Sequence, residues 1–172
     1  MPDEGIAIRR MRYSDLQSVM EIERDSFKMP WSEYCFSNVL KDSDSYAVVA
    51  ESDGTVVGYA VSVICTDRIY IANLAVRNTR RRRGIGSRLL KVLLEHGHKL
   101  GKGKVSLTVR VSNRGAISLY ERFGFRITGL RKGYYSDGES ALIMERPIFL
   151  EVTKPTAGKD EKKDHLRVSR SV

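Results

Sequence analysis

The sequence predicts an α/β fold built on a single mixed, mostly antiparallel sheet with helices on both of its faces. Short runs in which apolar residues alternate with polar ones indicate strands, and longer segments with apolar residues every three to four positions indicate helices. These segments follow the order β-α-α-β-β-β-α-β-α-β-β, which mixes hairpins with helical crossovers. With 172 residues, the chain is long enough to bury a core in one domain.

One strand and two helices are predicted at the start of the chain. Residues 6–10 form the opening strand. The spacing of Ser14 and Gln17 is that of a capping box, which predicts the start of the first helix at Ser14. Pro30 ends that helix, and Ser32 caps the second one.

The middle of the chain reads as three strands and a long helix. Residues 46–51 and 56–64 are rich in β-branched residues, and the Asp-Gly turn between them predicts a hairpin. Residues 68–76 form the next strand. Residues 84–100 form an amphipathic helix, which the glycines after it terminate.

Three strands and a short helix complete the predicted fold. Residues 105–111 alternate strictly, so this strand has one apolar and one polar face. Asn113 begins a short helix that Gly124 closes. Residues 125–130 and 141–145 are the last two strands.

Composition narrows the class of partner and the compartment. Lys and Arg total 30 against 21 Asp and Glu, which gives a net charge of +9 and favours an anionic partner such as a nucleic acid, a ribosome, a membrane surface or a phosphorylated cofactor. Cys35 and Cys65 lack metal-site spacing and are expected to be buried, reduced thiols in a cytoplasmic protein. Neither a signal peptide nor a membrane-spanning segment is expected. Residues 1–153 are expected to form the domain, and the charged residues 154–172 a flexible tail.

A glycine loop between a strand and a helix is the strongest local motif. Amides at the start of a helix bind anions, and residues 80–86 combine four arginines with Gly84 and Gly86. A Walker A loop is excluded because Gly86 is followed by Ser-Arg, and a dinucleotide fingerprint is excluded because Leu89 replaces its third glycine. The pattern Arg-x-x-Gly-x-Gly over residues 81–86 remains.

That pattern resembles the pyrophosphate loop of the GNAT acetyltransferase superfamily. Within the superfamily the chain is most similar to the protein N-terminal acetyltransferases, which include ribosomal-protein alanine acetyltransferases and archaeal and eukaryotic catalytic subunits. The similarity covers residue 6 to about residue 147. The further segments that carry it are residues 27–32, 73–76, 112–125 and 134–139.

The resemblance implies the GNAT fold and an enzyme that uses acetyl-CoA and no metal. Acetyl would pass by direct attack to the N-terminal α-amine of a protein, and CoA would be released. Protein or peptide N-termini are the implied partners, and the basic surface is consistent with ribosome association. Two other functions stay open: acetylation of a lysine side chain or a polyamine, and a ribosome- or RNA-binding module in which residues 80–83 contact phosphates.

The resemblance also implies the residues that hold the cofactor. The amides of residues 82–87 would bind the pyrophosphate, and residues 74–76 the pantetheine arm. Asn113 would bond to that arm, and Tyr120 would protonate the departing thiolate. By themselves, these two residues read as a helix N-cap and a core aromatic. The implied cofactor set is Leu74, Ala75, Val76, Arg81, Arg82, Arg83, Gly84, Ile85, Gly86, Ser87, Asn113 and Tyr120.

The general base is the point at which the chain departs from its relatives. Thr108 lies where they often carry Glu or His, and a threonine cannot act as a base at neutral pH. An α-amine, with a pKa of ~7.7–8.0, is partly neutral already, whereas a lysine amine at ~10.4 is not. A water held by Thr108, backbone carbonyls and a tyrosine could take the proton. Tyr70 matches a catalytic tyrosine of one eukaryotic subfamily, or is a strand aromatic.

Residues from two separate segments are implied to flank the acceptor amine. Met29 and Trp31 come from the junction between the first two helices, and Tyr134 and Tyr135 from the loop before the last strand. A groove between two loops suits an extended peptide terminus. The preferred first residue of the acceptor is left open.

Overall fold

The computed structural model describes residues 5–148, and within that range the predicted order of strands and helices is confirmed. The predicted tail, residues 154–172, lies outside the described residues, so the domain boundary stays a prediction. The strands are β1 (Ile6–Arg10), β2 (Ser45–Ser52), β3 (Thr55–Ile64), β4 (Arg68–Val76), β5 (Lys104–Arg110), β6 (Arg126–Arg131) and β7 (Ala141–Pro147). The helices are α1 (Leu16–Ser26), α2 (Glu33–Lys41), α3 (Ile85–Lys99) and α4 (Arg114–Arg122).

The described strands form one mixed sheet in the order β1-β2-β3-β4-β5-β7-β6. Neighbouring strands are antiparallel except β4 and β5, which are parallel. A parallel pair needs a crossover, and α3 supplies it. The predicted mixed, mostly antiparallel sheet is therefore confirmed.

Helices cover the sheet on two sides, as predicted. Leu89 and Leu93 of α3 and Tyr120 of α4 belong to one buried cluster. Ile22 of α1 and Phe36 of α2 belong to a second cluster on the opposite face. Burying each such large apolar side chain contributes about 1.5–3 kcal/mol, so both layers stabilise the fold.

A separation between β4 and β5 creates the space for a site. The two strands pair only from Arg68–Ile71 to Lys104–Leu107, although both continue further. At the point where pairing stops, β4 carries a bulge, because the register with β3 shifts and Ala72 is inserted. Bulges bend a strand and increase its twist. Beyond it, the edge of β4 that faces β5 no longer pairs with that strand.

The predicted start of α1 is wrong by two residues. A short 3-10 turn, Tyr13–Asp15, comes first, and α1 begins at Leu16. Asp15 is the N-cap residue of α1, but its side chain caps the 3-10 turn: Oδ2 accepts a hydrogen bond from the Arg12 amide at 2.7 Å. Its carboxylate is also paired with Arg9 at 2.8 Å. The predicted capping box is therefore displaced: Arg12 and Asp15 form it, and it belongs to the 3-10 turn that precedes α1.

The predicted burial of the cysteines is also wrong, because Cys35 is exposed and Cys65 is half-buried. Cys35 lies in the first turn of α2 on its outward side, beside the capping residue. The predicted cap of α2 is confirmed: the Ser32 hydroxyl oxygen accepts from the Cys35 amide at 3.3 Å.

Candidate active site

A cavity of about 800 Å³ opens where β4 and β5 separate. Its walls come from both strands, the loop before α3, the first turns of α4 and the junction between α1 and α2. Three predicted site residues, Tyr70, Arg83 and Tyr134, do not line it. Those that do are Met29, Trp31, Leu74, Ala75, Val76, Arg81, Arg82, Gly84, Ile85, Gly86, Ser87, Thr108, Asn113, Tyr120 and Tyr135.

The loop before α3 has the backbone shape of an anion site. Gly84 is the N-cap of α3 with φ +82°, and Arg82 is also left-handed with φ +63°. Alternating backbone conformations of this kind turn successive amides toward one point, where the α3 dipole adds positive potential. Left-handed non-glycine residues cost of order 1–3 kcal/mol and concentrate at ligand-binding sites.

The structure gives a different reason for glycine at position 84 than at position 86. No protein atom lies within 4 Å of a Cβ built on Gly84, so its positive φ sets the requirement. A Cβ on Gly86 would lie 3.4 Å from Leu119 Cδ2, which reflects close packing of α3 against α4. The open space in front of Gly84 is where a diphosphate would approach the amides.

Arg81 uses its side chain to hold this loop in place. Its Nε donates to the Val76 carbonyl at 3.0 Å, and its Nη2 donates to the Ser26 hydroxyl at 3.1 Å. These bonds tie the loop to the end of β4 and the end of α1. Arg81 therefore sets the position of the amides around the cavity.

Tyr120 is a protonated phenol at the inner wall of the cavity. It is 7% exposed and packs against Phe125, with ring centroids 5.6 Å apart. Burial raises the pKa of Tyr120, and the nearby Tyr135 and Tyr70 raise it further. At neutral pH the hydroxyl is thus a hydrogen-bond donor.

Asn113 is the N-cap of α4. Its Oδ1 accepts from the Ala116 amide at 3.1 Å, which is the structural role that the sequence offered as an alternative. The same residue lines the cavity, so the amide group of its side chain is placed beside the ligand space. A contact with the cofactor stays a prediction.

Tyr70 and Thr108 lie around the paired part of β4 and β5. Tyr70 lines a second, smaller cavity of about 260 Å³, and Thr108 lines both cavities. In the register of the two strands Tyr70 is opposite Ser106, two positions before Thr108. The structure brings Thr108 to the boundary between the cavities, and a catalytic role for Tyr70 stays a prediction.

Two loops meet above the cavity at the predicted acceptor side. The Ser136 hydroxyl lies 2.6 Å from the Met29 sulfur, and Lys28 Nζ lies 3.9 Å from Asp137 Oδ2. These contacts join the α1–α2 junction to the loop between β6 and β7. Tyr134 sits outside, 46% exposed, with its ring edge-on to Tyr135.

The two carboxylates of the β6–β7 loop share ion pairs with one arginine. Arg110 Nη1 lies 2.9 Å from Asp137 Oδ2 and 2.8 Å from Glu139 Oε2, and its guanidinium stacks over Tyr135 at 3.8 Å. Hydrogen bonds hold the pKa of both acids below the usual values: the Glu139 amide and Arg110 act on Asp137, and Ser112 and Arg110 on Glu139. This arrangement does not provide the acidic pocket that a polyamine would need.

Glu23 is a cavity residue that the sequence analysis missed. It is 1% exposed, and its Oε1 accepts from the Trp31 amide at 2.7 Å. Its Oε2 accepts from Asn73 Nδ2 at 3.1 Å and from the Tyr59 hydroxyl. Burial and the charge of Glu23 raise the pKa of Tyr59, which stays protonated. The available signal was a charged residue on the apolar face of α1, four positions before Phe27.

Among the described residues, no group of three or more His, Cys, Asp or Glu side chains is placed to bind a metal ion. In the same part of the chain, no helix is long and apolar enough to cross a bilayer.

Comparison with known proteins gives consistent matches. Residues 16–125 match the Acetyltransferase (GNAT) family. An N-alpha-acetyltransferase of Sulfurisphaera tokodaii is 32% identical over 154 residues, which cover 82% of this chain and 92% of the relative.

Two solved structures share the fold. The crystal structure of the ribosomal-protein-S18-alanine N-acetyltransferase from Escherichia coli superposes with a TM-score of 0.78 at 30% identity, covering 88% of this chain and 99% of that one. The crystal structure of Arabidopsis thaliana NAA60 in complex with acetyl-CoA gives a TM-score of 0.75 at 25% identity, covering 83% and 98%.

Proposed function

Because this chain belongs to the GNAT family of acetyltransferases, we propose that it transfers acetyl from acetyl-CoA to the N-terminal α-amine of a protein. The choice of an α-amine rests on one observation: no carboxylate that is free to accept a proton lines the cavity among the described residues. Among the described residues that line it, Glu23 is the only carboxylate, and three donors hold it. An amine that is already partly neutral, with a pKa of ~7.7–8.0, fits such a site better than a lysine at ~10.4.

Different residues around the cavity would bind different parts of acetyl-CoA. The amides of the loop before α3 would hold the pyrophosphate. Residues Leu74–Val76, which do not pair with β5, would hold the pantetheine arm and polarise the thioester carbonyl. Bound acetyl-CoA supplies the activated acetyl group. The cavity fits this ligand, because it joins an amide-lined anion site to an apolar channel beside Tyr120.

The chemistry proposed is a single acyl transfer. The acceptor nitrogen bonds to the acetyl carbon, and the carbon–sulfur bond breaks. The amine proton passes to a water at Thr108 and from there to solvent. The Tyr120 hydroxyl gives its proton to the departing sulfur, and a solvent proton then restores the Tyr120 hydroxyl. Neither step requires a carboxylate base.

A ribosomal protein is one acceptor that this proposal includes. The Escherichia coli structure is named for the alanine of ribosomal protein S18. A net charge of +9 favours approach to the anionic ribosome, which would place the reaction in the cytoplasm.

A peptide screen tests the proposed acceptor. Each peptide is made with a free and with an acetyl-blocked N-terminus and carries one internal lysine; CoA release and the mass of the product are measured. We expect turnover only with free N-termini, at a rate that rises with pH through about 8 as the α-amine loses its proton. Acetylation of the internal lysine of blocked peptides would contradict the proposal.

Glu23→Gln is expected to lower kcat by about tenfold, because Glu23 joins the acceptor loop to the bulge of β4. Its bonds to the Trp31 amide and to Asn73 fix the two substrates relative to each other, and small misplacements of reacting groups are costly. The measurement is kcat together with the unfolding temperature.

The matched control for this variant is Asp15→Asn. Asp15 is another buried carboxylate; it is ion-paired with Arg9 and does not line the cavity. We expect the control to lose thermal stability and keep its kcat. Equal kcat values in the two variants would show that Glu23 only stabilises the fold.

A further inference from the structure

Part of the sheet face opposite α3 lies beside, rather than under, the helices α1 and α2. On β5, Val105 and Leu107 belong to the core cluster on the α3 side. Ser106 and Thr108 alternate with them and therefore face the other way. On that face α1 packs mainly on β3 and β4, and α2 packs on β2. The surface over β5 and β7 is the continuation of this face beyond the two helices.

The smaller cavity, of about 260 Å³, opens on this surface. Its lining includes Arg68 and Tyr70 from β4, Arg131 from β6 and Glu145 from β7. Thr108 lines both this cavity and the large one. The two spaces therefore adjoin at the residue nearest to where the amine proton is expected to leave.

The distances along β5 match the reach of an extended acceptor chain. An extended chain rises about 3.3 Å per residue, so Ser106 and Lys104 lie roughly 7 and 13 Å along the strand from Thr108. If the acceptor amine lies near Thr108, two to four residues of extended peptide span this surface. The third to fifth residues of the acceptor would then pass over the smaller cavity.

Cations outnumber carboxylates at this cavity. Lys104 Nζ and Arg68 Nη1 share one oxygen of Glu145, at 3.2 and 3.5 Å. Arg131 stacks over Tyr134 at 5.5 Å, and in the described part of the chain no carboxylate forms an ion pair with it. Arg68 is also paired with Asp67 at 3.1 Å, so Arg131 is the cation of this cavity with which an acidic side chain of the acceptor could pair.

We propose that the smaller cavity is a second acceptor subsite, which receives the third to fifth residues of the polypeptide and selects an acidic side chain there. This inference rests on the proposed function, because it requires an extended polypeptide whose amine is at Thr108. Arg131 is its specificity-determining residue. The first acceptor residue would bind elsewhere, where the α1–α2 junction meets the loop between β6 and β7.

The test uses peptides that share their first two residues and carry Asp, Gln or Lys at the third, fourth or fifth position in turn. At one of these positions, we expect the KM of the Asp peptide to be about three- to tenfold lower than that of the Lys peptide, and high salt to reduce the difference. In Arg131→Ala the ratio should fall below about twofold, and in Arg131→Glu it should reverse.

Lys91→Ala is the matched control, since it removes one positive charge from an exposed position on α3, on the opposite side of the sheet. It should keep the wild-type ratio. Equal KM values for the Asp and Lys peptides, or a ratio that Arg131→Ala leaves unchanged, would overturn the subsite while the proposed function stands. If no peptide with a free N-terminus is acetylated by the wild-type protein, both proposals fall.

Discussion

Replacing Tyr120 by phenylalanine is expected to lower kcat by about a hundredfold and to leave acetyl-CoA affinity within about twofold of wild type. Proton donation by a positioned group is commonly worth 10²–10⁴ in rate, and Tyr120 is the buried phenol of the cavity wall. Phenylalanine keeps the ring and its packing on Phe125. Steady-state kinetics and calorimetric titration with acetyl-CoA measure the two quantities.

The pH profile adds a second signature of this role. Because burial raises the pKa of Tyr120, its proton stays in place well above neutral pH, and kcat should show no decline from Tyr120 up to about pH 9. Tyr46→Phe is the control, since it removes a phenol oxygen from a ring that stacks on His96 outside the cavity. Similar kcat values in Tyr120→Phe and Tyr46→Phe would exclude Tyr120 as the proton donor.

Gly84→Val is expected to weaken acetyl-CoA binding by about a hundredfold. A β-branched residue at φ +82° is strained, and its side chain would project into the open space in front of the α3 amides. Loss of a diphosphate site made of several amides and a helix dipole removes much of the charged part of the binding energy. Calorimetric titration with acetyl-CoA and with CoA measures this loss.

Gly54→Val separates backbone strain from loss of the site. Gly54 has φ +74° in the β2–β3 turn, no protein atom lies within 4 Å of its Cβ position, and it does not line the cavity. Both variants should lose thermal stability for the same reason, whereas only Gly84→Val should lose affinity. Equal affinities in the two would mean that the loop before α3 is not the pyrophosphate site.

Because Thr108 cannot act as a general base, the variants of Tyr120 and Gly84 test the proposed site more directly than a search for a general base would. Among the described residues, the carboxylates around the two cavities are all engaged: three donors hold Glu23, Arg110 holds both Asp137 and Glu139, and Lys104 and Arg68 hold Glu145. Under the proposed function, an acceptor amine that is already partly neutral suits such a site. In this proposal, the residue at position 108 of β5 favours an α-amine over a lysine side chain as the acceptor.

The order of elements and the glycine loop could be predicted from the sequence, because both are local. Strand alternation, helical spacing and the Asn113 cap depend on residues a few positions apart, and their predicted bounds agree with the structure to within about one residue at most ends. The predicted start of α1 was wrong because it depends on a contact that is not local. There Asp15 closes a capping box on the 3-10 turn while it is ion-paired with Arg9, which belongs to another element.

Tertiary structure alone decided how the site is assembled. The partners of Glu23 are Tyr59 and Asn73, 36 and 50 residues away, so no periodicity could reveal them. The separation of β4 from β5 likewise depends on the pairing of distant segments. The sequence by itself determined the family and the position of the glycine loop, since a run of neighbouring residues encodes them. The cavity wall around Glu23 exists only once the chain has folded, because it joins hydrogen-bonding groups that are far apart in the sequence.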